Sequence, residues 1–464
     1  MKIKLTYPIS AKEIEAVTGC TIHSAEDAEI QYITTHSSEV ERDTLFIAMQ
    51  GERTHGEAFR DIVIARGGYL LTEKAGERSF TVSSVSDALF ALARAHLKRL
   101  TALRHTIAVT GSVGKTTTKE MLRILLSDRY RTHATEGNQN SEIGLPLTIL
   151  CAPPDTELLI LEMGMNHKGE IARLSLLSEP DLIIITNVGH AHIGNLGSRK
   201  AIAEAKKEIL CGAKPGATVL IPSEEALLSD IADAKRIGVF SENGDYTLLP
   251  ENSFSRGYAL LKNGVRQARI CNEIRDKGLL AAIAFAGAAA LELGVQLPDL
   301  TDNNFNFGIN IFRQKLYKGD KTEIVFDAYN ASYESVICAI DTLKISPRKN
   351  RALLLGDMRE LGAYASDLHK EVGRACAAAR DEIHLLFLFG ASAPWVASQA
   401  IADGFDEGRI FVNTEADRPE ITAEAILRHI QLDTCLWIKG ARDMKMERIL
   451  KILLNDAGDN FDVG

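Results

Sequence analysis

The feature that most constrains this chain is a strand, a glycine turn and a helix start within Ile107–Thr118, which reads IAVTGSVGKTTT. Gly111 and Gly114 let the backbone turn so that N–H groups face an anion. A helix beginning near Thr116 adds the positive end of its dipole. Lys115 can then reach the β- and γ-phosphates of a nucleotide, and the Thr116 hydroxyl can hold Mg²⁺.

The match to the usual phosphate loop, G-x-x-x-x-G-K-[ST], is incomplete because Val109 stands where the first glycine would be. The alternative interpretation is an ordinary glycine turn followed by a chance lysine. The succession of strand, turn and amphipathic helix favours the phosphate loop. We therefore predict that the ATP-binding residues of this segment are Gly111, Ser112, Val113, Gly114, Lys115, Thr116 and Thr117.

Two further apolar runs, Leu158–Leu161 and Leu182–Thr186, follow with helix-like segments between them. This β-α-β-α-β order predicts an α/β fold with a parallel sheet, in which ligands bind beyond the carboxyl ends of the strands. Polar residues follow each strand, namely the phosphate loop, Glu162 and Asn187–His192. We expect these three clusters to lie at one edge of the sheet.

A carboxylate beside a phosphate loop suits Mg²⁺, so Glu162 is a candidate metal ligand, although a solvated loop glutamate is the plainer alternative. His190 and His192 end the third strand. A lone loop histidine is more often a surface or hydrogen-bonding residue than a ligand, but two at a strand end make a functional role as plausible as that alternative.

Lys206 occupies an unusual position on a helix predicted for Arg199–Leu210. Helical spacing places it on the apolar face with Ile202 and Leu210. Burial lowers the pKa of a lysine, and a neutral amine can react with CO₂ to give a carbamate, which is an oxygen ligand for Mg²⁺. The plain alternative is a lysine whose ammonium reaches solvent from the edge of the core.

The length of 464 residues suggests about three domains. We place them at residues 1–103, 104–311 and 312–464. In the third, strand-like runs alternate with helices predicted to begin near Tyr333 and, for the last, to cover Met444–Leu454, so it is another α/β domain.

The net charge of −9 argues against a protein that binds nucleic acid through a basic surface. Seven widely spaced cysteines without C-x-x-C indicate reduced thiols and a cytoplasmic protein. The N-terminus has no apolar signal region. The longest apolar stretch, near Leu279–Leu293, predicts a buried helix and no membrane span.

Several strings, in order along nearly the whole chain, resemble those of the Mur ligase family. They are TGSVGKTTT (Thr110–Thr118), EGNQNSEIGLP (Glu136–Pro146), EMGM (Glu162–Met165), AHIGNLGS (Ala191–Ser198), AKKEI (Ala205–Ile209), DAYNAS (Asp327–Ser332), LGDMRELG (Leu355–Gly362) and KGARDMKME (Lys439–Glu447). The last two are most similar to the members that add D-alanyl-D-alanine.

The resemblance implies three domains: an N-terminal UDP-substrate-binding domain, a central ATP-binding domain with a phosphate loop and parallel sheet, and a C-terminal Rossmann-like ligase domain. It implies that ATP activates the terminal carboxylate of a UDP-N-acetylmuramoyl-tripeptide to an acyl phosphate, which the amine of D-alanyl-D-alanine attacks. Both substrates are small molecules of peptidoglycan precursor synthesis. We expect a monomer with no nucleic-acid partner.

Site residues carry over from the family by position. The resemblance implies a Mg²⁺ site formed by Thr116, Glu162, His192 and a carbamylated Lys206, with Lys115, Lys206, His192 and Glu162 as catalytic residues. It implies ATP contacts from the third domain by Arg313, Asp327, Tyr329 and Asn330, and substrate contacts by Ser37 and Asn138.

The sequence also departs from the family pattern. The D-S-R string associated with UDP binding is replaced by His36-Ser37-Ser38, so only the serine carries over. No adenine-side H-N-x-x-N is found in Asn272–Ala282, and Gly194 stands where many members carry glutamate. These changes fit a divergent lineage or a paralogue with another substrate.

Three other functions compete with this interpretation. A related amide ligase acting on a different acid and amine is favoured by the altered UDP string and opposed by the C-terminal strings. A P-loop NTPase switch or motor would turn over ATP without two organic substrates. A catalytically dead binding protein would not need the whole set Lys115, Thr116, Glu162, His192 and Lys206.

Overall fold

The structure is a computed structural model and describes residues 2–51, 54–251, 257–271, 277–301, 315–319, 322–456 and 462–463. Two compact units are formed, one by Met1–Thr110, Leu125–Ile184 and Lys207–Leu220, the other by Gly111–Ile124, Ile185–Lys206 and Ile221–Gly464. The division into three domains remains a prediction. Its second boundary, between residues 311 and 312, falls outside the described residues.

The first unit begins with a six-stranded sheet in the order β1-β3-β4-β5-β6-β2. Its strands are β1 (Lys2–Ser10), β2 (Thr21–His23), β3 (Glu29–Thr34), β4 (Thr44–Ile47), β5 (Tyr69–Thr72) and β6 (Ser79–Thr81). The accompanying helices are Ala11–Thr18, Arg60–Ala65 and Val85–Leu97. Ser84 caps the last helix by accepting a hydrogen bond from the Asp87 N–H at 3.2 Å.

The first unit also contains a parallel set of strands in the order β11-β10-β7-β9-β8. These are β7 (His105–Thr110), β8 (Thr132–Ala134), β9 (Leu158–Glu162), β10 (Leu182–Ile185) and β11 (Thr218–Pro222), with helices Gly144–Leu150 and Glu170–Ser178. The predicted β-α-β-α-β order and parallel pairing are confirmed. The strands β10, β7 and β9, which precede the three polar clusters, are therefore neighbours.

The second unit contains the helices that follow the clusters and a second group of strands. The helices are Lys115–Leu126, whose start lies in this unit, Ile193–Leu196, Arg199–Lys207 and Lys277–Glu292; the strands are β12 (Lys235–Val239), β13 (Tyr246–Pro250), β14 (Gly257–Lys262), β15 (Val265–Cys271) and β16 (Leu300–Thr301). The predicted helix Arg199–Leu210 was too long, because a 3-10 turn, Glu208–Gly212, replaces its last part. Helix Lys277–Glu292 is buried, as predicted.

The C-terminal sheet of the second unit has the order β21-β20-β19-β22-β18-β17-β23. Its strands are β17 (Lys315–Lys318), β18 (Thr322–Asp327), β19 (Asn350–Gly356), β20 (Leu385–Phe389), β21 (Ile410–Asn413), β22 (Thr434–Lys439) and β23 (Asp462–Val463). The helices are Tyr333–Lys344, Ala365–Ala378, Ala393–Ala402, Pro419–His429 and Glu447–Asp456. Five central strands pair in parallel, which confirms the predicted α/β fold.

Two helix starts in this sheet show how local sequence sets the boundaries. Helix Tyr333–Lys344 begins where predicted, because Ser332 and Ser335 form a capping box. The last helix begins at Glu447 and not at Met444, because Lys445 has a left-handed φ of 50° that separates it from a 3-10 turn. Among the described helices, none has both the length and the apolar character to cross a bilayer.

Candidate active site

The phosphate loop is held by the segment that follows β10. The side-chain oxygen of Asn187 accepts hydrogen bonds from the backbone N–H groups of Ser112 and Val113, both at 3.0 Å. Thr186 donates to the Val113 carbonyl at 2.6 Å. A Cβ on Gly111 would lie only 1.9 Å from the Thr186 hydroxyl, so glycine is required there. The loop is therefore fixed before any nucleotide binds.

Lys115 begins helix Lys115–Leu126, and its ammonium donates to the Gly111 carbonyl at 2.7 Å. The first N–H groups of a helix have no partner within that helix, so a helix start can bind an anion. Gly114 has a left-handed φ of 84°, which turns the chain into the helix. Thr116, the predicted metal ligand, follows in the first helical turn.

Lys206 is buried on helix Arg199–Lys207, with 2% of its surface exposed. Burial lowers its pKa well below the usual value, and the positive charge of Lys115 lowers it further, while Glu334 acts in the opposite direction. No carboxylate within the described ranges forms an ion pair with it. The structure thus agrees with the predicted apolar position, and burial shifts the Lys206 amine toward its neutral form.

His192 and Glu360 meet in the second unit. The Nδ1 atom of His192 lies 2.6 Å from Oε2 of Glu360. This contact with the imidazole lowers the pKa of the Glu360 carboxyl. The Nδ1 atom is buried, and within the described part of the chain it has no well-aligned hydrogen bond, so the contact is short but off-angle.

His190 has a separate acidic partner. Oε1 of Glu334 accepts the His190 backbone N–H at 2.8 Å and lies 2.5 Å from its ring Nδ1. The Tyr333 ring packs edge-on against the His190 ring. A Cβ on Gly189 would lie 2.4 Å from the Glu334 carboxyl carbon, so this glycine makes room for the acid. The His190 ring therefore has Glu334 as its partner, which agrees with the interpretation of His190 as a hydrogen-bonding residue.

Glu162, in the first unit, is the last residue of β9 and is 2% exposed. Its Oε1 atom accepts a hydrogen bond from the Asn140 side chain at 2.8 Å. Its backbone N–H donates to the Thr135 hydroxyl at 3.0 Å. Glu162 is therefore a buried, oriented carboxylate and not a solvated loop residue, which removes the plainer alternative.

The remaining predicted residues are spread over other elements. Asp327 ends β18, and its Oδ2 accepts a hydrogen bond from the buried Lys439 at 2.8 Å. Lys439 also donates to the Asn330 carbonyl at 2.9 Å, so it fixes the turn that carries Asn330 and half-buried Tyr329. Arg313 falls outside the described residues.

The two predicted substrate-binding residues lie in the first unit. Ser37 opens a 3-10 turn, and its carbonyl accepts a hydrogen bond from Arg66 at 3.2 Å. Asn138 is exposed and follows Gly137, which has a left-handed φ of 55°. The backbone of the altered UDP string is thus held by an arginine from outside that string.

The residues present fit a nucleotide and a hard divalent cation. The loop supplies a fixed turn, a helix start and the Lys115 ammonium, which match a polyphosphate. Over the described ranges, no group of three or more His, Cys, Asp and Glu side chains is placed to hold a metal. The predicted set contains only two such residues, Glu162 and His192. Its other two ligands would be the Thr116 hydroxyl and a carbamylated Lys206, so the set does not conflict with that finding.

Sequence reasoning missed the residues that support the site. Asn187 lies within one of the predicted polar clusters, but no sequence pattern indicates that it holds the phosphate loop. Glu334, Glu360 and Lys439 contact residues far away in sequence, so no local pattern pairs them. Glu360 and Lys439 lie within the strings LGDMRELG and KGARDMKME. These strings indicate the family, but they do not indicate what either side chain contacts.

Comparison with known proteins agrees with this architecture. The Mur ligase middle domain matches residues 109–255, and the Mur ligase glutamate ligase domain matches residues 313–442. The chain belongs to the Mur ligase family, which confirms the resemblance. It is 34% identical to the UDP-N-acetylmuramoyl-tripeptide--D-alanyl-D-alanine ligase of Bacillus subtilis over 440 residues, which cover 92% of this chain and 94% of that protein.

Solved structures give the same result. MurF from Acinetobacter baumannii has a TM-score of 0.85 at 25% identity, covering 98% of this chain and 100% of that one. The MurF ligase from Thermotoga maritima in complex with ADP has a TM-score of 0.80 at 27% identity, covering 92% and 97%. The similarity therefore extends over nearly the whole chain and includes a nucleotide-bound relative.

Proposed function

We propose that this chain is an ATP-dependent carbon–nitrogen ligase that joins D-alanyl-D-alanine to a UDP-N-acetylmuramoyl-tripeptide in peptidoglycan precursor synthesis. The observation that carries the proposal is the fixed phosphate loop with Lys115 at its helix start, within a chain similar over 92% of its length to a ligase of that name. ATP and UDP precursors are intracellular metabolites, and with the free thiols described they favour a cytoplasmic protein. We expect the protein to act as a monomer on ATP and two other small molecules, the UDP-tripeptide and the dipeptide.

The chemistry follows from the placement of charge. The γ-phosphoryl group moves from ATP to the terminal carboxylate of the tripeptide, which gives an acyl phosphate and ADP. The amine of the dipeptide then attacks the acyl carbon, the amide bond forms and phosphate leaves. Lys115 and the N–H groups at the helix start neutralise charge on the transferring group.

Thr116, Glu162, His192 and Lys206 would hold Mg²⁺, which would neutralise negative charge on the nucleotide phosphates. The burial of Glu162 supports its part in this set, because the carboxylate is already oriented by Asn140. The contact between Nδ1 of His192 and Glu360 supports His192 as a second ligand, because it leaves Nε2 of the ring for coordination.

Lys206 would act as a carbamate. A buried ammonium without an ion-pair partner is unfavourable, and the lowered pKa of Lys206 favours the neutral amine that reacts with CO₂. The carbamate is an anion with two oxygens, so it reverses the unfavourable charge and provides ligands for a hard cation. It also reaches farther than a glutamate at the same position.

The other contacts complete the proposal. Asp327, Tyr329, Asn330 and Arg313 would contact the nucleotide, while Ser37 and Asn138 would contact the UDP substrate. The string His36-Ser37-Ser38 favours one competing function, a related ligase with a different acid and amine, because it lacks an aspartate and an arginine that the family resemblance leads us to expect.

A coupled phosphate-release assay separates the two functions. Purified protein with ATP and Mg²⁺ is given UDP-muramoyl-tripeptides carrying lysine or diaminopimelate, each with D-alanyl-D-alanine, L-alanyl-L-alanine or glutamate. Phosphate release that requires both a UDP-tripeptide and D-alanyl-D-alanine, with a pentapeptide product by mass spectrometry, is the expected result. Equal release with a UDP-free acid, or without any organic substrate, would reject the proposal.

A further inference from the structure

Glu360 differs from its neighbours in the string Leu355–Gly362. Asp357 holds the turn before helix Ala393–Ala402, since its carboxylate accepts hydrogen bonds from the backbone N–H groups of Ala391 and Ser392 at 3.2 and 2.9 Å. The Met358 N–H donates to the buried ring of His369 at 3.1 Å. These residues serve the C-terminal sheet and its helices, whereas the Glu360 side chain reaches the loop that carries His192.

Two glycines bring this loop and the Glu360 segment together. The Gly194 N–H donates to the Glu360 carbonyl at 3.1 Å. A Cβ on Gly194 would lie 2.8 Å from both the Glu360 carbonyl oxygen and the Gly362 nitrogen. Gly362 has a left-handed φ of 54°, and a Cβ there would lie 2.9 Å from the Gly194 Cα. The two backbones therefore approach more closely than any side chain would allow.

A third contact fixes the direction of approach. The Tyr364 hydroxyl donates to the Gly197 carbonyl at 2.6 Å, at the far end of the short helix Ile193–Leu196. His192 sits at the other end of that helix, with a left-handed φ of 63°. The short helix is thus held at both ends, and the Glu360 carboxylate comes to lie against the ring of His192.

The position of this carboxylate selects a tautomer of the imidazole. A carboxylate beside Nδ1 favours the proton on that nitrogen, which leaves the lone pair on Nε2. The contact is off-angle in this structure, and such hydrogen bonds often align only when the ligand binds. The same arrangement of carboxylate, histidine and cation orients many protein metal ligands.

We propose that Glu360 is a positioning residue for His192, which fixes the Nδ1–H tautomer and the ring orientation so that Nε2 faces the divalent cation. This inference rests on the proposed function, in which His192 is a metal ligand. It adds to that function a residue from the C-terminal sheet region that acts on the cation only through His192.

Cation binding without catalysis tests the inference. Free Mn²⁺ is measured by electron paramagnetic resonance during titration of the full-length protein with ADP present. Glu360→Gln keeps the size of the side chain but removes its charge, and it should weaken Mn²⁺ binding about tenfold or more. The control Glu420→Gln removes an exposed carboxylate that pairs with Arg418 at 3.3 Å, and it should match wild type.

A third variant separates this inference from the proposed function. A Mn²⁺ affinity within about twofold of wild type counts as unchanged, since the expected effect is about tenfold. If His192→Gln and Glu360→Gln both leave the affinity unchanged, the metal assignment and the positioning role both fail. If His192→Gln weakens binding and Glu360→Gln does not, only the positioning role fails. Weaker binding in both, with the control unchanged, is the expected result.

The tautomer is measured on the wild-type protein, so the test does not depend on a variant that folds. Long-range ¹H–¹⁵N spectra of histidine-labelled protein are recorded near pH 8, above the usual histidine pKa of about 6.5. The His192 signals are assigned by their loss in His192→Gln. We expect the Nδ1–H form. A contact that only packs the two loops together would not favour this tautomer. A dominant Nε2–H form would overturn the inference.

Discussion

Oε2 of Glu360 lies 2.6 Å from Nδ1 of His192, and both residues have the same left-handed φ of 63°. Such backbone angles are uncommon for residues other than glycine, and they persist only where surrounding contacts impose them. Here the surrounding contacts are the hydrogen bond from Gly194 to the Glu360 carbonyl and the one from Tyr364 to Gly197. The structure therefore maintains local backbone strain on both sides of one side-chain contact.

Removing the Lys115 ammonium should strongly slow formation of the acyl phosphate. Loss of one such electrostatic contact in Lys115→Ala should lower the rate by about two to three orders of magnitude. Single-turnover formation of ADP measures this step, because phosphate leaves only in the later amide-forming step. Lys451→Ala, at an exposed position on the last helix, is the matched control and should behave as wild type. A Lys115→Ala rate within about threefold of wild type, far short of the loss expected, would contradict the role.

Lys206→Ala should lose nearly all ligase activity, and formate or acetate should restore part of it. A small carboxylate can enter the vacated space and supply the oxygens that the carbamate would provide. Initial rates are measured with and without about 100 mM of each anion, an excess suited to a weak, millimolar interaction. Chloride at equal ionic strength is the control. Equal rates in chloride and formate would argue against the carbamate.

Wild-type protein provides the converse test of Lys206. Thorough removal of CO₂ should lower activity, and bicarbonate should restore it, because carbamate formation by a neutral amine is reversible. Reaction of Lys206 with CO₂ should weaken as the pH falls, because the amine gains a proton and then no longer reacts. Its lowered pKa moves this loss to a lower pH than for an ordinary lysine. The bicarbonate needed for half-maximal activity should therefore rise at lower pH. Activity that is independent of CO₂ throughout would contradict this mechanism.

A methyl group on Gly194 should disrupt the approach of the two loops. In Gly194→Ala the new Cβ would lie 2.8 Å from the backbone at Glu360 and Gly362, and such overpacking costs about 1–3 kcal/mol. We expect a lower melting temperature by calorimetry and weaker Mn²⁺ binding. Gly408→Ala, where the nearest neighbour lies 3.4 Å away, is the control. Unchanged stability and Mn²⁺ affinity would show that the loops tolerate separation.

The first unit should lose stability as the pH falls below about 6.5, the usual histidine pKa. Burial lowers the pKa of His96 and of His133, whose rings contact the carbonyls of Ala152 and Thr148. Because their pKa values are lower in the folded state, the unfolded chain binds more protons between the folded and unfolded pKa values, and acid favours unfolding.

Urea unfolding at several pH values measures this effect. Replacement of His96 and His133 by glutamine, which can still donate to the same carbonyls, should make the free energy of unfolding less dependent on pH below that point. His167→Gln, at an exposed position in the same unit, should leave the dependence as it is in wild type. An unchanged slope in the double variant would assign the acid sensitivity to other groups.

Much of the nucleotide side of the site could be predicted from sequence because it is local. The strand β7, the turn at Gly111 and Gly114, and the helix start at Lys115 follow one another directly, and periodicity and glycine placement identify them. The apolar face of Lys206 follows from helical spacing in the same way.

The supporting contacts could not be predicted, because they join distant segments. His190 and Glu334 are 144 residues apart, and their contact depends on how whole elements pack. The predicted helix Arg199–Leu210 ends early as a 3-10 turn, a difference that periodicity alone does not detect, since apolar residues continue past Lys207. The departure at Gly194 was visible in the sequence, but only the structure shows its partner at Gly362.

Because Gly194 and Gly362 lie so close together, the residue tolerated at one position depends on the residue at the other. A glutamate at position 194 would meet the backbone of residues 360–362, so a lineage that acquires it must also displace this segment. Single exchanges should be selected against, while paired exchanges of the two segments, Ala191–Ser198 together with Leu355–Gly362, should survive. A glutamate introduced at position 194 of this chain would therefore require both segments to be exchanged together.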